Sequence, residues 1–444
     1  MNSKPTNVRW SIFSLACGTS WLLYLHRYAF AAIKPVLAEE YGLGASELGR
    51  MDVVFQVTYM GFQFPLGVLA DAVGVHLVLT SLILIWSVAL AMHAIPSIWS
   101  VWIARGALGL GQSAVFATIN SLTRTWFPLS IRTTVQGWAG VFWGRMGGAC
   151  AGLIFATLLI GVLELEWRTA IYLLAAAGVL HAFVFGILFR NTPRQHRWVN
   201  PAEVAIIEGE APGEAGESEI GRPKLTVREM FSRMSPRSIF NMLCLNLQSC
   251  LSTLADNIYS AWIPLFLRNV HGLEYKEMGI LWLLPLLGGA LGGASGGYLN
   301  DYFIRRTGNR RWSRTGVGLV GKGMAAALVF VALMLYYDRP YAFCVMLFFV
   351  KFFGDWSLST GWGTISDIGG RTTASVFAFN NSVAGIAAIG ASFLYGEVVG
   401  YYEEFDVRLA WQVVFTIVGA TYALCALSWL LVNSSIPLFR EDGE

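Results

Sequence analysis

The sequence predicts an all-α membrane protein with twelve transmembrane helices, arranged as two pseudo-symmetric bundles of six helices. Three observations predict this class. Hydrophobic residues make up 55% of the 444 residues, charged residues make up 13%, and the mean hydropathy is +0.55, which is far from soluble averages. Twelve apolar runs are long enough to cross a bilayer. Finally, a G-x-L-x-D motif at residues 67–71 recurs at residues 297–301, an offset of 230 residues that is close to half the chain.

The apolar runs place the spans one after another along the chain, with one long polar segment near the middle at residues 190–237. We therefore predict an N-terminal six-helix bundle at 1–190, a cytoplasmic linker with short surface helices at 191–237, and a C-terminal six-helix bundle at 238–444. In the linker, Asn200, Pro201 and Glu203 form a helix-start pattern, and residues 225–231 form a second candidate helix. The predicted spans lie near residues 10–34, 49–70, 76–95, 98–123, 133–160, 168–189, 238–267, 276–299, 315–336, 341–366, 372–400 and 408–433.

Basic residues are distributed unevenly between the two sets of connecting segments. The set that includes both termini and the linker carries nineteen Lys and Arg residues, and the other set carries seven. Because cytoplasmic segments are enriched in Lys and Arg, the sequence predicts that both termini are cytoplasmic. We expect an integral protein of the plasma (inner) membrane.

Several function classes lack support in the sequence. The net charge of +3 is too small and too dispersed for a nucleic-acid partner. The six cysteines lie in apolar runs without metal-ligand spacing, and no catalytic or nucleotide-binding motif stands in a strand and helix context. We therefore predict no catalytic residues, no metal, no cofactor and no enzymatic activity. The expected surroundings are the lipid bilayer, and the expected oligomeric state is a monomer.

The repeated G-x-L-x-D motif is predicted to lie in a short loop between two spans in each half. A glycine permits close approach of two helix ends, and an aspartate there can pair with a neighbouring helix or base. The motif resembles the loop between spans 2 and 3 of the major facilitator superfamily of transporters. The resemblance implies a gating role for Gly67, Asp71, Gly297 and Asp301.

Ionisable side chains inside apolar spans are functional candidates, because each costs about 2.5–3.5 kcal/mol at the centre of a bilayer on insertion scales. Lys351 and Asp355 are four residues apart on one helix face, so a local ion pair is the default expectation and a gate is the alternative. For Lys322 we expect snorkelling or a buried pair. The full set is His26, Arg27, Arg105, Arg145, Asp256, Lys322, Lys351 and Asp355.

A closer resemblance follows from motifs that extend over nearly the whole chain. These motifs are Arg105 to Gln112, Thr125-Trp126-Phe127-Pro128 with Arg132, Tyr24 to Arg27, Tyr259 to Pro264, Asp367 to Gly369, and Asn380-Asn381. With them the sequence is similar to the anion:cation symporter family, whose members carry hexonates, hexuronates, glutamate or sialic acid, and to the related organophosphate:phosphate antiporters. The resemblance implies a packing and gating role for Arg105.

In the resembled family, the arginine of span 1 pairs with the acid group of the substrate. The corresponding residue here is Arg27, and its planar guanidinium suits an oxyanion. An interhelical salt bridge is the alternative. Three departures from the family are His26 in place of Asp, Gln112 in place of Glu, and Asp256 in place of a second substrate-binding Arg. These departures favour a monocarboxylate, a zwitterion or a polar organic anion over a phosphate ester.

The repeat offset of 230 maps residue 26 to residue 256, so we expect Asp256 to face the substrate cavity and to pair with Arg27 when the site is empty. Substrate binding at Arg27 would then let Asp256 accept a proton. A permanent structural bridge or a contact to a cationic group of the substrate is the alternative. The proton-coupling candidates are Asp256, His26 and Asp355. The predicted substrate-binding residues are Arg27, Tyr24, His26, Gln112, Arg145, Tyr259, Asn380 and Asn381.

The sequence thus predicts secondary active transport of a small organic anion (a carboxylate, sugar acid or zwitterion) by alternating access around a central cavity. A proton is the expected coupling ion, although another ion would also fit. An uncoupled facilitator or an anion exchanger is the alternative, which Gln112 favours because an amide cannot release a proton. A non-transporting membrane receptor is a remote alternative, because it leaves the buried charges unexplained.

Overall fold

The computed structural model describes residues 4–128, 131, 135–208, 234–369 and 373–438. Over these ranges the regular structure is helical, and the helices group into twelve spans that confirm the predicted class. Breaks divide five of the spans into consecutive helical segments. Before the long polar segment, the bounds are Val8–Tyr41 for span 1, Ala45–Val73 for span 2, Val75–Met92 for span 3, Ile98–Gln112 and Val115–Trp126 for span 4, Gly137–Phe142, Trp143–Ala151 and Gly152–Val162 for span 5, and Trp167–Leu188 for span 6. After it, the bounds are Pro236–Ala261 and Ile263–His271 for span 7, Tyr275–Thr307 for span 8, Arg310–Val331 and Ala332–Tyr336 for span 9, Pro340–Gly354 and Trp356–Gly369 for span 10, Thr373–Glu403 for span 11, and Val407–Ser428 for span 12.

Nine helices in the described part of the chain are long and apolar enough to cross a membrane on composition alone. The other spans are 1, 4 and 7. Span 4 is divided into two shorter helices at Ser113 and Ala114, and spans 1 and 7 carry charged and amide side chains along their length. These three spans carry Arg27, Gln112 and Asp256. In spans 1 and 7, the polar residues that are predicted to be functional also lower the hydropathy of the helix.

The predicted loop position of the G-x-L-x-D motif is wrong in both halves. Residues 67–71 belong to the last turns of span 2, which continues to Val73, and residues 297–301 lie inside span 8, which continues to Thr307. The chain reverses instead at two later glycines. Gly74 has φ 103° and Gly308 has φ 67°, conformations that a residue with a Cβ atom rarely adopts. The length of the apolar runs therefore predicted which segments are spans, but the predicted end of span 8 was too early.

Glycines in spans 5 and 8 allow close helix packing. A Cβ atom added at Gly147 in span 5 would lie 2.1 Å from the backbone oxygen of Trp21 in span 1. In span 8, a Cβ atom at Gly288 would lie 2.2 Å from the backbone oxygen of Phe348, and one at Gly292 would lie 2.1 Å from that of Phe352 in span 10. Small residues at such crossings let helix backbones approach each other in the membrane.

The chain divides into two compact units, and the division differs from the predicted bundles. The first unit comprises Met1–Phe30, Val54–Ala151 and Leu163–Lys224, and the second comprises Ala31–Val53, Gly152–Val162 and Leu225–Glu444. Parts of spans 1, 2 and 5 therefore belong to the second unit. Within that unit, Thr157 Oγ1 donates a hydrogen bond to the backbone oxygen of Lys276, and Ser46 Oγ donates one to that of Gly396.

The predicted linker helix begins at Pro201 and ends at Glu208, and Asn200 Oδ1 accepts a hydrogen bond from the backbone N–H of Glu203. The candidate helix at residues 225–231 lies outside the described residues. The fully buried Glu203 carboxylate also accepts hydrogen bonds from Thr6 Oγ1 and from the backbone N–H groups of Val8 and Arg9. A linker side chain thus caps the N-terminus of span 1, where backbone donors lack partners and negative charge is favoured.

Replacing Glu203 with alanine is expected to lower the melting temperature of the purified protein. The change removes three hydrogen bonds and leaves partly buried donors at the start of span 1, at a cost of about 1–3 kcal/mol for the unsatisfied groups. Glu208→Ala is the matched control, because Glu208 lies on the same helix in an exposed ion pair with Arg194. Equal melting temperatures for the two variants would contradict the capping role.

Candidate anion-binding and proton-coupling sites

The first site is centred on Arg27 in span 1. Arg27 Nε donates a hydrogen bond of 2.9 Å to Gln112 Oε1, and Gln112 Nε2 donates one of 3.0 Å to the backbone oxygen of Leu23. Gln112 is fully buried. Because its amide is fixed at both ends, Gln112 holds one edge of the guanidinium in place and leaves the terminal nitrogens to other partners.

Aromatic rings surround the Arg27 guanidinium. Its Cζ atom lies 5.0 Å from the ring centroid of Tyr24, 5.1 Å from that of Phe55 and 4.8 Å from that of Tyr59. Ring faces stabilise a cation without neutralising it. Phe55 and Tyr59 were not among the predicted site residues, because neither belongs to a motif that the resemblance covers.

Arg27 retains an unused hydrogen-bonding group. Its Nη2 atom is buried without a hydrogen-bond partner, and among the described residues Arg27 makes no ion pair. The interhelical salt bridge considered as the alternative is therefore not found in this part of the chain. An arginine keeps its charge when buried, so an unpaired guanidinium edge is an energetically favourable place for an oxyanion.

Tyr24 and Arg145 also belong to this neighbourhood. The ring of Tyr24 packs on Gly144 in span 5, where an added Cβ atom would lie 2.8 Å from Tyr24 Cε2. Arg145 follows Gly144 in span 5, is partly buried, and lies close enough to interact electrostatically with Tyr24. The structure therefore brings together four of the predicted substrate-binding residues, namely Arg27, Tyr24, Gln112 and Arg145.

His26 does not fit the predicted roles in substrate binding and proton coupling. Its side chain is fully buried and packs against span 6, where a Cβ atom added at Gly178 would lie 2.5 Å from His26 Cε1. The same position lies 2.3 Å from the hydroxyl oxygen of Ser87 in span 3. Adjacent residues of a helix project about 100° apart, so the neighbour of Arg27 is directed into the packing of its own unit.

Arg105 has the environment of a packing residue. It is buried, and its Cζ atom lies 4.0 Å from the ring centroid of Phe30 and 4.6 Å from that of Phe55. One turn later in the same span, a Cβ atom at Gly109 would lie 2.1 Å from Thr58 Oγ1 in span 2. Phe55 contacts both Arg105 and Arg27, so any shift of span 2 acts on both arginines.

The other predicted gating residues differ in how closely they are packed. A Cβ atom at Gly67 would meet no other atom within 4 Å, whereas one at Gly297 would lie 3.4 Å from Ser359 Cβ. Asp301 is exposed on span 8. The side chain of Asp71 lies outside the described part of the structure, as does Arg132 of the extended motif.

The second site is a cluster of charged residues centred on Asp256 in span 7. Lys351 Nζ in span 10 donates hydrogen bonds of 2.7 Å to both Asp256 Oδ1 and Asp355 Oδ1, which confirms the predicted pair of Lys351 and Asp355. Lys322 Nζ in span 9 lies 3.7 Å from Asp256 Oδ2 and donates a hydrogen bond of 2.8 Å to Ser252 Oγ. Lys322 thus belongs to a buried pair.

Asp256 is the most accessible member of this cluster. Its side chain is 26% exposed, whereas those of Lys322, Lys351 and Asp355 are 1%, 9% and 6% exposed. The hydroxyl of Tyr422 in span 12 also donates a 2.6 Å hydrogen bond to Asp256 Oδ1. Lysines of its own unit therefore take the place of Arg27, which the sequence analysis predicted as the partner of Asp256.

The remaining predicted site residues lie in the second unit. Tyr259 is 1% exposed, and Lys351 Nζ lies 5.4 Å from its ring centroid. Asn380 is buried and bonded to polar residues of span 7, accepting from Ser249 Oγ and donating to Asn246 Oδ1. Its neighbour Asn381 is exposed. Tyr259 thus borders the charged cluster, whereas the amide of Asn380 is used in contacts between helices.

An ion pair that the sequence analysis did not predict lies at the start of the second unit. Lys34 in span 1 is fully buried and donates hydrogen bonds to Asp52 in span 2 and to the backbone oxygen of Ala261, where span 7 breaks. Its Nζ atom lies 4.0 Å from the ring centroid of Trp262. An aspartate inside the apolar run of span 2 was the available signal.

Comparisons with known proteins agree with this architecture. The model of the Major Facilitator Superfamily matches residues 16–392. A protein of Cupriavidus necator named a probable sulfoacetate transporter, SauU, is 27% identical over 98% of this chain and 95% of its own. The hexuronate transporter of Escherichia coli K12 is 26% identical over 94% of this chain and 93% of its own.

Among solved structures, a bacterial homologue of the human lysosomal transporter Spinster, in an inward-facing and unoccupied conformation, superposes with a TM-score of 0.73. It is 15% identical and covers 97% of this chain and 98% of its own, a likeness that supports the fold alone. The superfamily match extends over most of the sequence. The chain belongs to the Major Facilitator Superfamily and is an integral membrane transporter, not an enzyme.

Proposed function

We propose that this protein is a secondary active transporter that moves a small organic anion across the plasma (inner) membrane by alternating access. The observation that carries the proposal is the unpaired edge of Arg27, a buried guanidinium that Gln112 orients and aromatic rings surround. A carboxylate or sulfonate accepts two parallel hydrogen bonds from such a group. Monomeric function fits a fold in which one chain supplies the twelve spans of the described structure.

The substrate class in this proposal is a small polar organic acid. Relatives named for transport of sulfoacetate and hexuronate, both acids of this kind, support it. A phosphate ester is less well matched, because Asp256 occupies the position at which the resembled antiporters have a second arginine. Tyr24 beside the guanidinium offers a phenol group to a substrate hydroxyl or acid oxygen.

We assign proton coupling to the Asp256 cluster. Gln112 beside Arg27 cannot titrate, whereas Asp256 is a partly exposed carboxylate within hydrogen-bonding distance of a lysine and a tyrosine. Asp355 is a second carboxylate on the same lysine. Uncoupled facilitation or anion exchange is the competing function, and it is favoured by the amide at position 112.

A substrate screen tests the proposal. Purified protein would be heated with sulfoacetate, glucuronate, glycerol 3-phosphate and glucose, since a ligand of the folded state raises the melting temperature. We expect organic acids to raise it and glucose to have no effect. Uptake of the best acid into proteoliposomes should exceed equilibrium when the interior is alkaline. Stabilisation by glucose and not by acids would contradict the substrate class, and uptake that only equilibrates would favour the facilitator.

The orientation of the chain is also part of the proposal, with both termini and the linker in the cytoplasm. On a background without the six native cysteines, Gln195→Cys in the linker should react with an impermeant maleimide only from the cytoplasmic side. Glu164→Cys, between spans 5 and 6, should react only from the outer side; both positions are exposed. The opposite labelling pattern would reverse the assigned orientation.

A further inference from the structure

We propose that Lys322 and Lys351 form a binding site for a small oxyanion, and that Asp256 is the built-in counter-ion that occupies this site when no anion is bound. The inference rests on the proposed function and adds to it a second anion site and a fixed proton stoichiometry. The oxyanion is a carboxylate or a sulfonate. When it binds to the lysines, Asp256 takes up one proton.

The hydrogen bonds of the lysines leave donors available for a ligand. An ammonium group has three donors. In the described part of the chain, Lys322 donates one hydrogen bond, to Ser252, and its 3.7 Å separation from Asp256 is longer than a hydrogen bond. Lys351 donates to Asp256 and to Asp355. An oxyanion that replaced Asp256 would therefore find donors on both lysines.

The exposure pattern identifies Asp256 as the group that a ligand displaces. Both lysines are more than nine-tenths buried, whereas the Asp256 side chain is 26% exposed and forms the accessible part of the cluster. Asp355 is only 6% exposed and would remain paired with Lys351. A ligand that approaches the cluster therefore meets Asp256 before it meets the lysines.

The charge balance of the cluster requires a proton. Two lysines and two aspartates sum to zero, so an added monoanion leaves one uncompensated negative charge in a buried region. Loss of its lysine partners favours the neutral form of Asp256, and one proton on its carboxylate restores the balance. Bound anion and bound proton therefore favour each other equally, as linkage requires. No other group has to change charge.

The groups that face Asp256 from the packed helices determine this behaviour. Lys322 and Lys351 are the cations, Asp355 is the other carboxylate, and the other titratable neighbours are a thiol and phenols that stay neutral near pH 7. Ser252 Oγ of span 7 also donates a 3.2 Å hydrogen bond to Asp256 Oδ2. Tyr422 donates to Asp256 when Asp256 is ionised and can accept from it when it is protonated. Among the described residues, the charged and titratable neighbours are Lys322 of span 9, Lys351 and Asp355 of span 10, Tyr259 of span 7, Tyr395 of span 11, and Tyr422 and Cys425 of span 12.

The test measures binding of sulfoacetate and glucuronate to the full-length purified protein between pH 6 and pH 8. For the parent protein, we expect the Kd to rise about tenfold per pH unit, because one proton binds with each anion. Titration calorimetry in two buffers of different ionisation enthalpy should give an uptake of about one proton. In Asp256→Asn, whose amide oxygen can still accept from Tyr422, the Kd should be lower at pH 8 and independent of pH.

Lysine variants separate this inference from the proposed function. Lys322→Gln should raise the Kd at least tenfold, whereas Lys276→Gln, an exposed lysine of span 8, should leave it unchanged. If Lys322→Gln does not fold, the pH dependence of the Kd in Asp256→Asn provides the test. A pH-independent Kd in the parent, or an Asp256→Asn variant that keeps the tenfold slope, would overturn the inference. Transport by way of Arg27 alone would survive either result.

Discussion

Replacing Arg27 with lysine is expected to weaken organic-anion binding by at least tenfold while the protein still folds. Lysine keeps the positive charge but has no planar fork, so one group cannot bond both to Gln112 and to an acid group in fixed directions. Hydrogen bonds to charged groups contribute about 1.5–3 kcal/mol each, so losing one corresponds to about a tenfold to hundredfold change in Kd. Arg27→Ala should remove binding at the Arg27 site, while the proposed lysine site keeps its own Kd.

Two companion variants make this result specific. Arg50→Lys changes the same residue type in an exposed ion pair with Glu397 and should not alter the Kd. Gln112→Glu places a carboxylate against Arg27 Nε, so the new internal ion pair should compete with the anion and also make binding depend on pH. If Arg27→Lys binds the anion as tightly as the parent, Arg27 is not its anchor.

The number and order of the spans were predictable because the bilayer imposes a minimum length of apolar sequence on each helix. The same rule could not find where the helices end. In span 8 the helix continues past the apolar run to Thr307, because helical hydrogen bonding does not depend on whether the exposed face is apolar. Gly308, at φ 67°, provides a more reliable end signal than the loss of hydropathy.

The site around Arg27 was largely predictable, since Tyr24 and Arg27 share one turn of a helix and Gln112 belongs to a recognisable motif. The charged cluster was not. Asp256, Lys322, Lys351 and Tyr422 lie on four different spans, and nothing in the local sequence indicates that they meet. A buried charge shows only that some partner must exist. Arg27 was predicted as the partner of Asp256 because pseudo-symmetry was the only information in the sequence that related distant positions.

The largest effect on stability is expected for Asp52→Asn. Lys34 is fully buried, and Asp52→Asn removes the carboxylate that pairs with its charge, while the contacts to the backbone oxygen of Ala261 and to the ring of Trp262 remain. Removing one member of a buried ion pair costs about 3–5 kcal/mol. We expect a clear fall in melting temperature, whereas Arg50→Gln, which breaks an exposed pair with Glu397, should cost less than about 1 kcal/mol.

A double variant distinguishes the loss of charge balance from a general packing defect. In Lys34→Met with Asp52→Leu, both charges of this pair are removed together, and apolar side chains of similar size should restore most of the melting temperature. The polar contact to Ala261, at the break in span 7, is still absent in this variant. If transport requires that contact to form and release, the double variant should be stable and yet show a lower turnover rate in proteoliposomes. Equal melting temperatures for Asp52→Asn and Arg50→Gln would show instead that the buried pair has no special role.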